Sequence, residues 1–286
     1  VEIVWGNSTR GHPRSTVQAG SQTTTAHTRA NHAAATDALR KIRAVAAATM
    51  GGSPSAYRVD SGRVNGPGGT MSLGRIAERA IAMGGEYSGE VLPEDIHAQT
   101  VPAAQMLAGE GLMGIARDNY GGEGNIYSWV AGFAMVELDE ETGVVELKEY
   151  VGITDCGTVI HPRSLGAQVF GGSIQGMGMA MTQRWVFDPQ WGVPFANRLY
   201  TARPPGFLDI PSDLKWGAVN IPDPQDPVGA KGIGEPPVGA GAAALTCAVA
   251  DALGGRCVCR TPLTPDIILA EIEGRPIYGR LDQHVG

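Results

Sequence analysis

The sequence predicts an α+β fold, and three observations support that class. Residues 23–50 form a long alanine-rich stretch of good helix formers, which favours a helix. Two runs of alternating apolar and polar residues flank the turn "DEETG" at residues 139–143 and favour a long β-hairpin. Strands and helices then follow one another without the regular strand–helix–strand alternation that builds a parallel sheet.

The N-terminal third of the chain carries two helices and two strand regions in this prediction. Residues 1–5 read as a strand already in progress and lack an initial methionine. We therefore expect a processed product or one piece of a larger polypeptide, with a partner chain in either case. The long helix stops at Gly51. Residues 55–66 predict a hairpin and residues 72–83 a helix. Three hydroxyl side chains are candidates to cap the long helix at its N-terminus: Ser21, Thr23 and Thr24.

The remaining elements are predicted from composition. Residues 84–126 are irregular and rich in glycine and proline, which indicates an arm rather than a core. Small residues line 161–183, so we expect a helix there that packs very closely on its neighbours. Residues 183–193 predict a strand and a turn. Two further helices are expected, at 236–255 and 264–274. No linker or internal repeat divides the chain, so we expect one region over residues 1–286.

Composition argues against several function classes. A net charge of −7 and a pI near 5.4, without a basic stripe, argue against a nucleic-acid surface. No apolar run reaches the length of a membrane span. The four scattered cysteines do not make a disulfide framework, so a reducing, cytoplasmic setting is expected. Cys257 and Cys259 lack the additional cysteines of an iron–sulfur or zinc site, and we interpret them as strand residues.

Two glycine-rich polar clusters are candidate binding sites. The stretch "QAGSQTTTAHT" at residues 18–28 precedes the long helix, where free backbone N–H groups attract anions. Ordinary helix capping would explain the same residues. The stretch "GAQVFGGSIQGMGMA" at 166–180 holds Gln168 and Gln175, whose amides can bind a polar ring without adding charge. Close packing of a small-residue helix on a sheet is the alternative there.

A third cluster, "KGIGEPPVGAG" at residues 231–241, places one carboxylate, Glu235, among glycines and prolines. The glycines let another group approach the backbone, and the prolines hold the acid in place. A salt bridge with Lys231 is one interpretation of this acid. The other is a buried carboxylate, whose desolvation would raise its pKa and make it a proton acceptor near neutral pH.

Taken in order, "TDCGTVIHPRSLGAQVFGGSIQGMGMAM" and "AKGIGEPPVGAGAAALTCAVADALG" resemble the C-terminal half of the molybdenum-binding subunit of the xanthine dehydrogenase and aldehyde oxidase family. The resemblance covers essentially the whole chain. It fits members in which that subunit is split into two polypeptides, as in nicotinate dehydrogenase-like enzymes. It implies an α+β molybdopterin-binding domain of the xanthine oxidase type, with mixed sheets and packed helices. The implied cofactor is molybdenum with molybdopterin, as the cytosine dinucleotide.

The resemblance also implies roles for individual residues. Glu235 would be the general base on a molybdenum-bound hydroxide, with hydride passing to a sulfido ligand of the metal. Lys231, Gly232 and Gly234 would form the cofactor-binding loop that carries this base. No side chain is implied as a direct metal ligand. The other cofactor-binding residues implied by the family are Gly20, Ser21, Gln22, Thr23 and Gln168.

The implied reaction is water-derived hydroxylation of an N-heteroaromatic compound or an aldehyde. Electrons would leave through iron–sulfur clusters and FAD on two partner subunits, and the N-terminal piece of the molybdenum subunit would be a third partner. Two alternatives stay open. One is a non-catalytic subunit that completes the cofactor pocket. The other is a different reaction of the same cofactor, such as carbon monoxide oxidation or thioester dehydroxylation.

Overall fold

A computed structural model describes residues 3–4, 12–15, 17–121 and 125–276. The chain divides into two compact units. The first comprises Val1–Gln18, Gln22–Gly124 and Pro224–Val228, and the second comprises Ala19–Ser21, Asn125–Asp223 and Gly229–Gly286. The strand predicted over residues 1–5 lies mostly outside the described residues and stays a prediction.

The first unit is built on α1 (Thr23–Met50), a 28-residue helix with the predicted bounds. It ends at Gly51, whose φ of 88° suits glycine. The predicted hairpin gains a third antiparallel strand, and the sheet consists of β1 (Arg58–Asp60), β2 (Arg63–Gly66) and β3 (Gly69–Ser72). Helix α2 (Leu73–Met83) follows Ser72, whose hydroxyl oxygen accepts the backbone N–H of Arg75 at 3.3 Å. The predicted bounds of α2 are therefore confirmed to within one residue.

A small apolar core holds these elements together. Its buried side chains come from both helices, the sheet and the turn before it: Val45, Ala46, Tyr57, Val64, Ile76 and Ala80. Beyond α2, the described residues 84–121 contain one short helix, α3 (Val101–Leu107), and otherwise turns and irregular chain.

The second unit contains the predicted long hairpin. It consists of β4 (Trp129–Leu138) and β5 (Val145–Asp155), which pair antiparallel. A further strand, β6 (Asp213–Ala218), pairs with β5 in parallel, so this sheet is mixed. Together with the helices of both units, the sheet confirms the predicted α+β class.

Among the described residues, four α-helices complete the second unit: α4 (Pro162–Met181), α5 (Leu199–Ala202), α6 (Pro236–Ala252) and α7 (Pro265–Ile272). Helices α4 and α6 pack directly on each other. A Cβ atom at Gly176 would lie 1.9 Å from the carbonyl oxygen of Val238, and one at Gly241 would lie 2.3 Å from that of Ser173. No other residue fits at these two positions without moving a helix, which confirms the close packing predicted for α4.

Three predictions of local structure are wrong. Residues 183–193 do not form the predicted strand, because among the described residues their strand pairing is limited to an isolated bridge between Phe187 and Pro194, although the predicted turn is present at 189–191. Cys257 and Cys259 are exposed and lie in irregular chain on either side of the buried Val258. The alternation of exposed and buried side chains is present, but this segment pairs with no strand among the described residues. Helix α1 begins after Gln22 without a side-chain cap, and the hydroxyl groups proposed as caps do not serve in that role.

Length and hydropathy together determine whether a helix can span a membrane. Over the residues that the structure describes, no helix combines the length and the apolar character needed to cross a bilayer.

Candidate active site

Glu235 lies at the start of α6, directly before Pro236 and Pro237, and is exposed. Proline suits the first turn of a helix because the N–H that it lacks would have no intrahelical partner there. The two prolines therefore determine where α6 begins, and with it where Glu235 stands.

The side chain of Ser21 contacts Glu235 twice. Its hydroxyl donates to Oε2 of the carboxylate, and its oxygen accepts the backbone N–H of Glu235 at 2.8 Å. The backbone N–H groups of Gly20 and Ser21 also act on the carboxylate and favour its ionised form. Hydrogen bonds to the ionised form, led by the one from the Ser21 hydroxyl, lower the pKa of Glu235. Its carboxylate is therefore ionised at neutral pH.

This arrangement corrects the idea of a buried carboxylate with a raised pKa. Glu235 is exposed, and the effect of desolvation on its pKa is smaller than that of the Ser21 hydroxyl. The alternative of a salt bridge with Lys231 is also wrong, because the ammonium of Lys231 is directed to Asp155 and Asp223. The acid is held by a hydroxyl and by backbone groups.

The turn that holds Glu235 has an unusual backbone. Gly20 and Ser21 have φ values of 63° and 54°, and the left-handed region costs a non-glycine residue such as Ser21 about 1–2 kcal/mol. Successive N–H groups in such a turn form a small concave site for an anion. The backbone of Gly20 and Ser21 lowers the pKa of the Glu235 carboxylate, as expected for an anion beside such a turn.

Gly232 lets this turn lie against the loop of Glu235. A Cβ atom at Gly232 would stand 1.6 Å from the carbonyl oxygen of Ser21. The sequence suggested that some group approaches the backbone of the glycine-rich loop. In this structure, the backbone of Ser21 is such a group.

Gln168 of α4 lies beside the same loop. A Cβ atom at Gly234 would lie 3.5 Å from Oε1 of Gln168 and 3.6 Å from Oγ of Ser21. Gln168, Gly171 and Gln175 are exposed and follow a helical spacing of three and four residues, so they share one face of α4. The second unit thus brings together six of the predicted site residues: Gly20, Ser21, Gln168, Gly232, Gly234 and Glu235.

The other predicted site residues have different surroundings. Lys231 is enclosed, with its Nζ 2.9 Å from Oδ2 of Asp155 and 3.9 Å from Oδ2 of Asp223. Gln22 is the exposed residue that precedes α1, and Thr23 is the first residue of that helix. Both belong to the first unit. The cofactor-binding and catalytic roles of these three residues, and of the six above, stay predictions.

Sequence reasoning missed Asp155 and Ser128. The hydroxyl of Ser128 donates to the carbonyl oxygen of Gly232 at 2.5 Å, and Asp155 holds Lys231. Asp155 follows a strong strand pattern and stands in the quoted stretch "TDCG", which is a weak signal on its own. The partner of Asp155 lies 76 residues away along the chain, so only the fold reveals the pair.

A cavity of about 370 Å³ lies elsewhere in the second unit, and none of the predicted site residues lines it. Its walls include Ile174, Met177 and Met181 of α4 and Leu147 of β5. We therefore do not assign it to the candidate active site.

Comparison with known proteins establishes the family. Residues 1–211 match the molybdopterin cofactor-binding domain. The chain belongs to this family. This molybdopterin-binding chain is 31% identical over 128 residues to the probable hypoxanthine oxidase XdhD of Escherichia coli strain K12, a match that covers 45% of this chain and 13% of that protein. It is 34% identical over 128 residues to the carbon monoxide dehydrogenase large chain of Afipia carboxidovorans, covering 44% and 15%.

Solved structures support the same fold for the molybdopterin-binding chain. It is similar to the Cu,Mo-CO dehydrogenase, with a TM-score of 0.67, 23% identity and coverage of 89% of this chain and 30% of that chain. It is also similar to quinoline 2-oxidoreductase from Pseudomonas putida 86, with a TM-score of 0.63, 23% identity and coverage of 85% and 29%.

These comparisons establish the family of the chain but not the activity of a whole enzyme. The resemblance to molybdenum-binding subunits of the xanthine dehydrogenase family is confirmed. The sequence matches span less than a fifth of the length of the curated relatives, so the activity of a whole enzyme is not part of this finding.

Proposed function

We propose that this chain is the part of a molybdenum hydroxylase that carries the general base, Glu235. We also propose that residues 1–286 act as one molybdopterin-binding region, which includes the irregular arm at about 84–126. The observation that carries the proposal is the exposed, ionised carboxylate of Glu235, held by Ser21 beside Gln168. The proposed reaction is water-derived hydroxylation of an N-heteroaromatic compound or an aldehyde.

The side chains around this loop fit a phosphate-bearing pterin cofactor. Gln168 and Gln175 present neutral amides on one exposed face of α4, and a Cβ atom at Gly171 between them would meet nothing within 4 Å. Amides bind a polar ring without adding charge beside phosphates. Gln168 and the loop around Gly234 would hold the cofactor in the second unit, and its proposed form is the cytosine dinucleotide.

The chemistry divides between the cofactor and the chain. When bound, the molybdenum cofactor would supply two-electron redox chemistry and Lewis acidity. Glu235 would take up, at its carboxylate, a proton from the water-derived oxygen that adds to the substrate. Ser21 would keep that carboxylate ionised and oriented between turnovers.

The proposal includes partner chains and a location. An N-terminal piece of the molybdenum subunit would supply the remaining cofactor and substrate contacts, and iron–sulfur and FAD subunits would accept the electrons. Molybdenum subunits of the xanthine dehydrogenase type and large chains of carbon monoxide dehydrogenases are among the relatives, which is consistent with such an assembly. We propose that the complex works in the cytoplasm.

Metal and nucleotide analysis of the complex purified through this chain tests the proposed cofactor. We expect about one molybdenum per copy of the chain and release of CMP on acid hydrolysis, with iron in the co-purifying chains. An intact complex without molybdenum and pterin would instead favour a structural subunit that completes the fold.

The substitution Glu235→Gln tests the proposed base. The amide keeps the size of the side chain but cannot take up a proton, so we expect turnover to fall by about 10²–10⁴-fold while molybdenum content is unchanged. The matched control is Glu141→Gln, at an exposed position in the β4–β5 turn, which should leave turnover unchanged. Near-normal turnover in Glu235→Gln would remove Glu235 as the base.

A further inference from the structure

Lys231 stands four residues before Glu235 and is enclosed by its own chain. Only 8% of its side chain is exposed, and its Nζ lies 2.9 Å from Asp155 and 3.9 Å from Asp223. The ammonium is thereby directed at two carboxylates of the same unit. Neither aspartate has a role in the function proposed above.

Backbone hydrogen bonds tie the same part of the loop to the chain that leaves β5. The N–H of Lys231 donates to the carbonyl oxygen of Cys156 at 2.8 Å, and the N–H of Thr158 donates to that of Gly229 at 2.7 Å. A Cβ atom at Gly157 would lie 2.1 Å from the carbonyl oxygen of Gly229. The two segments are therefore in direct backbone contact, with the ion pair of Lys231 at their end.

The residues between Lys231 and Glu235 extend this anchor. Ile233 is buried in a small apolar cluster with Leu165 and Val169 of α4. The carbonyl oxygen of Gly232 accepts the hydroxyl of Ser128 at 2.5 Å. The loop is thus fixed on the side of β5 and on the side of α4, and Glu235 follows it without an intervening flexible segment.

We infer that Asp155 is a positioning residue for Glu235, acting through Lys231 and the loop of residues 231–234. The inference rests on the proposed role of Glu235 as general base. Among the described residues, loss of Asp155 leaves the enclosed ammonium with the longer ion pair to Asp223 alone, an unfavourable state that movement of the loop relieves. A catalytic group must be held within about 0.5 Å of its productive position, so such a movement lowers turnover.

The chain offers a matched control pair on the same sheet. Nζ of Lys215 lies 2.8 Å from Asp213 and 2.5 Å from Glu149, and half of the side chains of Lys215 and Asp213 is exposed. Exposed ion pairs contribute little to stability because water screens them. Asp213→Asn therefore removes the same charge from a lysine pair that does not hold the loop of Glu235.

The experiment compares Asp155→Asn, Asp155→Glu and Asp213→Asn in the molybdenum-loaded complex purified through this chain. Three quantities are measured: kcat and KM, molybdenum content, and hydrogen exchange of the backbone over residues 229–236. For Asp155→Asn we expect kcat to fall by about tenfold or more at unchanged KM and molybdenum content. We also expect faster exchange confined to that loop. Asp155→Glu should restore part of kcat, and Asp213→Asn should match the unchanged protein.

Two results would overturn the inference. One is an Asp155→Asn complex that behaves like Asp213→Asn in both kcat and exchange. The other is a general loss of protection and of molybdenum throughout the chain, which would show that Asp155 serves the fold as a whole. Glu235→Gln is measured in parallel. If it retains full turnover, the proposed base is wrong, while the exchange data still decide whether Asp155 anchors the loop.

Discussion

Ser21 links two parts of the chain that are 214 residues apart, because its hydroxyl both donates to the carboxylate of Glu235 and accepts its backbone N–H. The family resemblance suggested Ser21 as a cofactor-binding residue. The structure adds that this serine is a partner of the acid. A residue that lowers the pKa of Glu235 also determines the pH range in which the acid can take up a proton.

The pair Ser21→Ala and Ser21→Gly tests this role. Both remove the hydroxyl, so we expect the pKa of Glu235 to rise in both. Folding lowers the pKa of Glu235, so its ionised carboxylate adds to the free energy of unfolding at pH values above its ordinary pKa. This contribution is lost as the pH falls through the lowered pKa of the folded protein. Both variants should therefore show a smaller loss of stability on acidification. A carboxyl NMR titration of Glu235 provides the measurement.

The two substitutions differ in backbone strain, which supplies the control. Position 21 has a φ of 54°, which glycine adopts without strain and alanine adopts only with strain. Ser21→Gly should therefore be the more stable variant, although both shift the pKa of Glu235 in the same direction. An unchanged pKa in both variants would show that the hydroxyl does not determine the charge of Glu235.

At the scale of helices and strands, prediction succeeded where the information is local. The bounds of α1 follow from a run of helix formers that ends at Gly51, and the β4–β5 hairpin follows from alternation around one turn. The parallel pairing of β6 with β5 depends on chain segments about sixty residues apart, and no local pattern contains it. The segment at 183–193 has strand-forming residues but no neighbouring strand among the described residues.

The crossing of α4 and α6 gives a prediction about helices. Gly176→Ala would place a Cβ atom 1.9 Å from the carbonyl oxygen of Val238, so we expect a loss of about 1–3 kcal/mol in the free energy of unfolding. Gly171→Ala on the same helix meets nothing within 4 Å and should gain up to about 1 kcal/mol, because alanine favours helices. Thermal unfolding of the two variants gives the comparison, and equal midpoints would contradict the close crossing.

The candidate site was predictable only in part, because some of its contacts join residues that are far apart in the sequence. Glu235, Gly234 and Gln168 stand in recognisable stretches, and the structure places them together. The contacts of Glu235 with Ser21 and of Lys231 with Asp155 join distant parts of the sequence. Such pairs depend on the path of the chain, and a linear pattern does not show them.

At the scale of the whole molecule, one segment of the second unit exposes many large apolar side chains. Between residues 185 and 208, eight of them are more than half exposed: Trp185, Trp191, Val193, Phe195, Leu199, Tyr200, Phe207 and Leu208. The rings of Trp185 and Phe187 stack at 6.2 Å between their centroids. Exposed apolar side chains concentrated in one segment promote association in water.

We therefore expect the isolated chain to self-associate. The double variant Trp185→Ser/Trp191→Ser should be less associated at equal concentration, and Gln190→Ser, an exposed polar position in the same segment, serves as the control. Sedimentation equilibrium measures the average mass. If the chain with both tryptophans intact shows the mass of a monomer at every concentration, this segment does not cause self-association.

The enclosure of Lys231 has a practical consequence for chemical labelling. The chain has four lysines, and the side chains of Lys41 and Lys231 are almost fully enclosed. Lys148 and Lys215, on strands β5 and β6, are far more accessible. An amine-reactive cross-linker applied to an assembled complex would thus mark the lysines of this one sheet, and any partner captured through them would be a neighbour of that sheet.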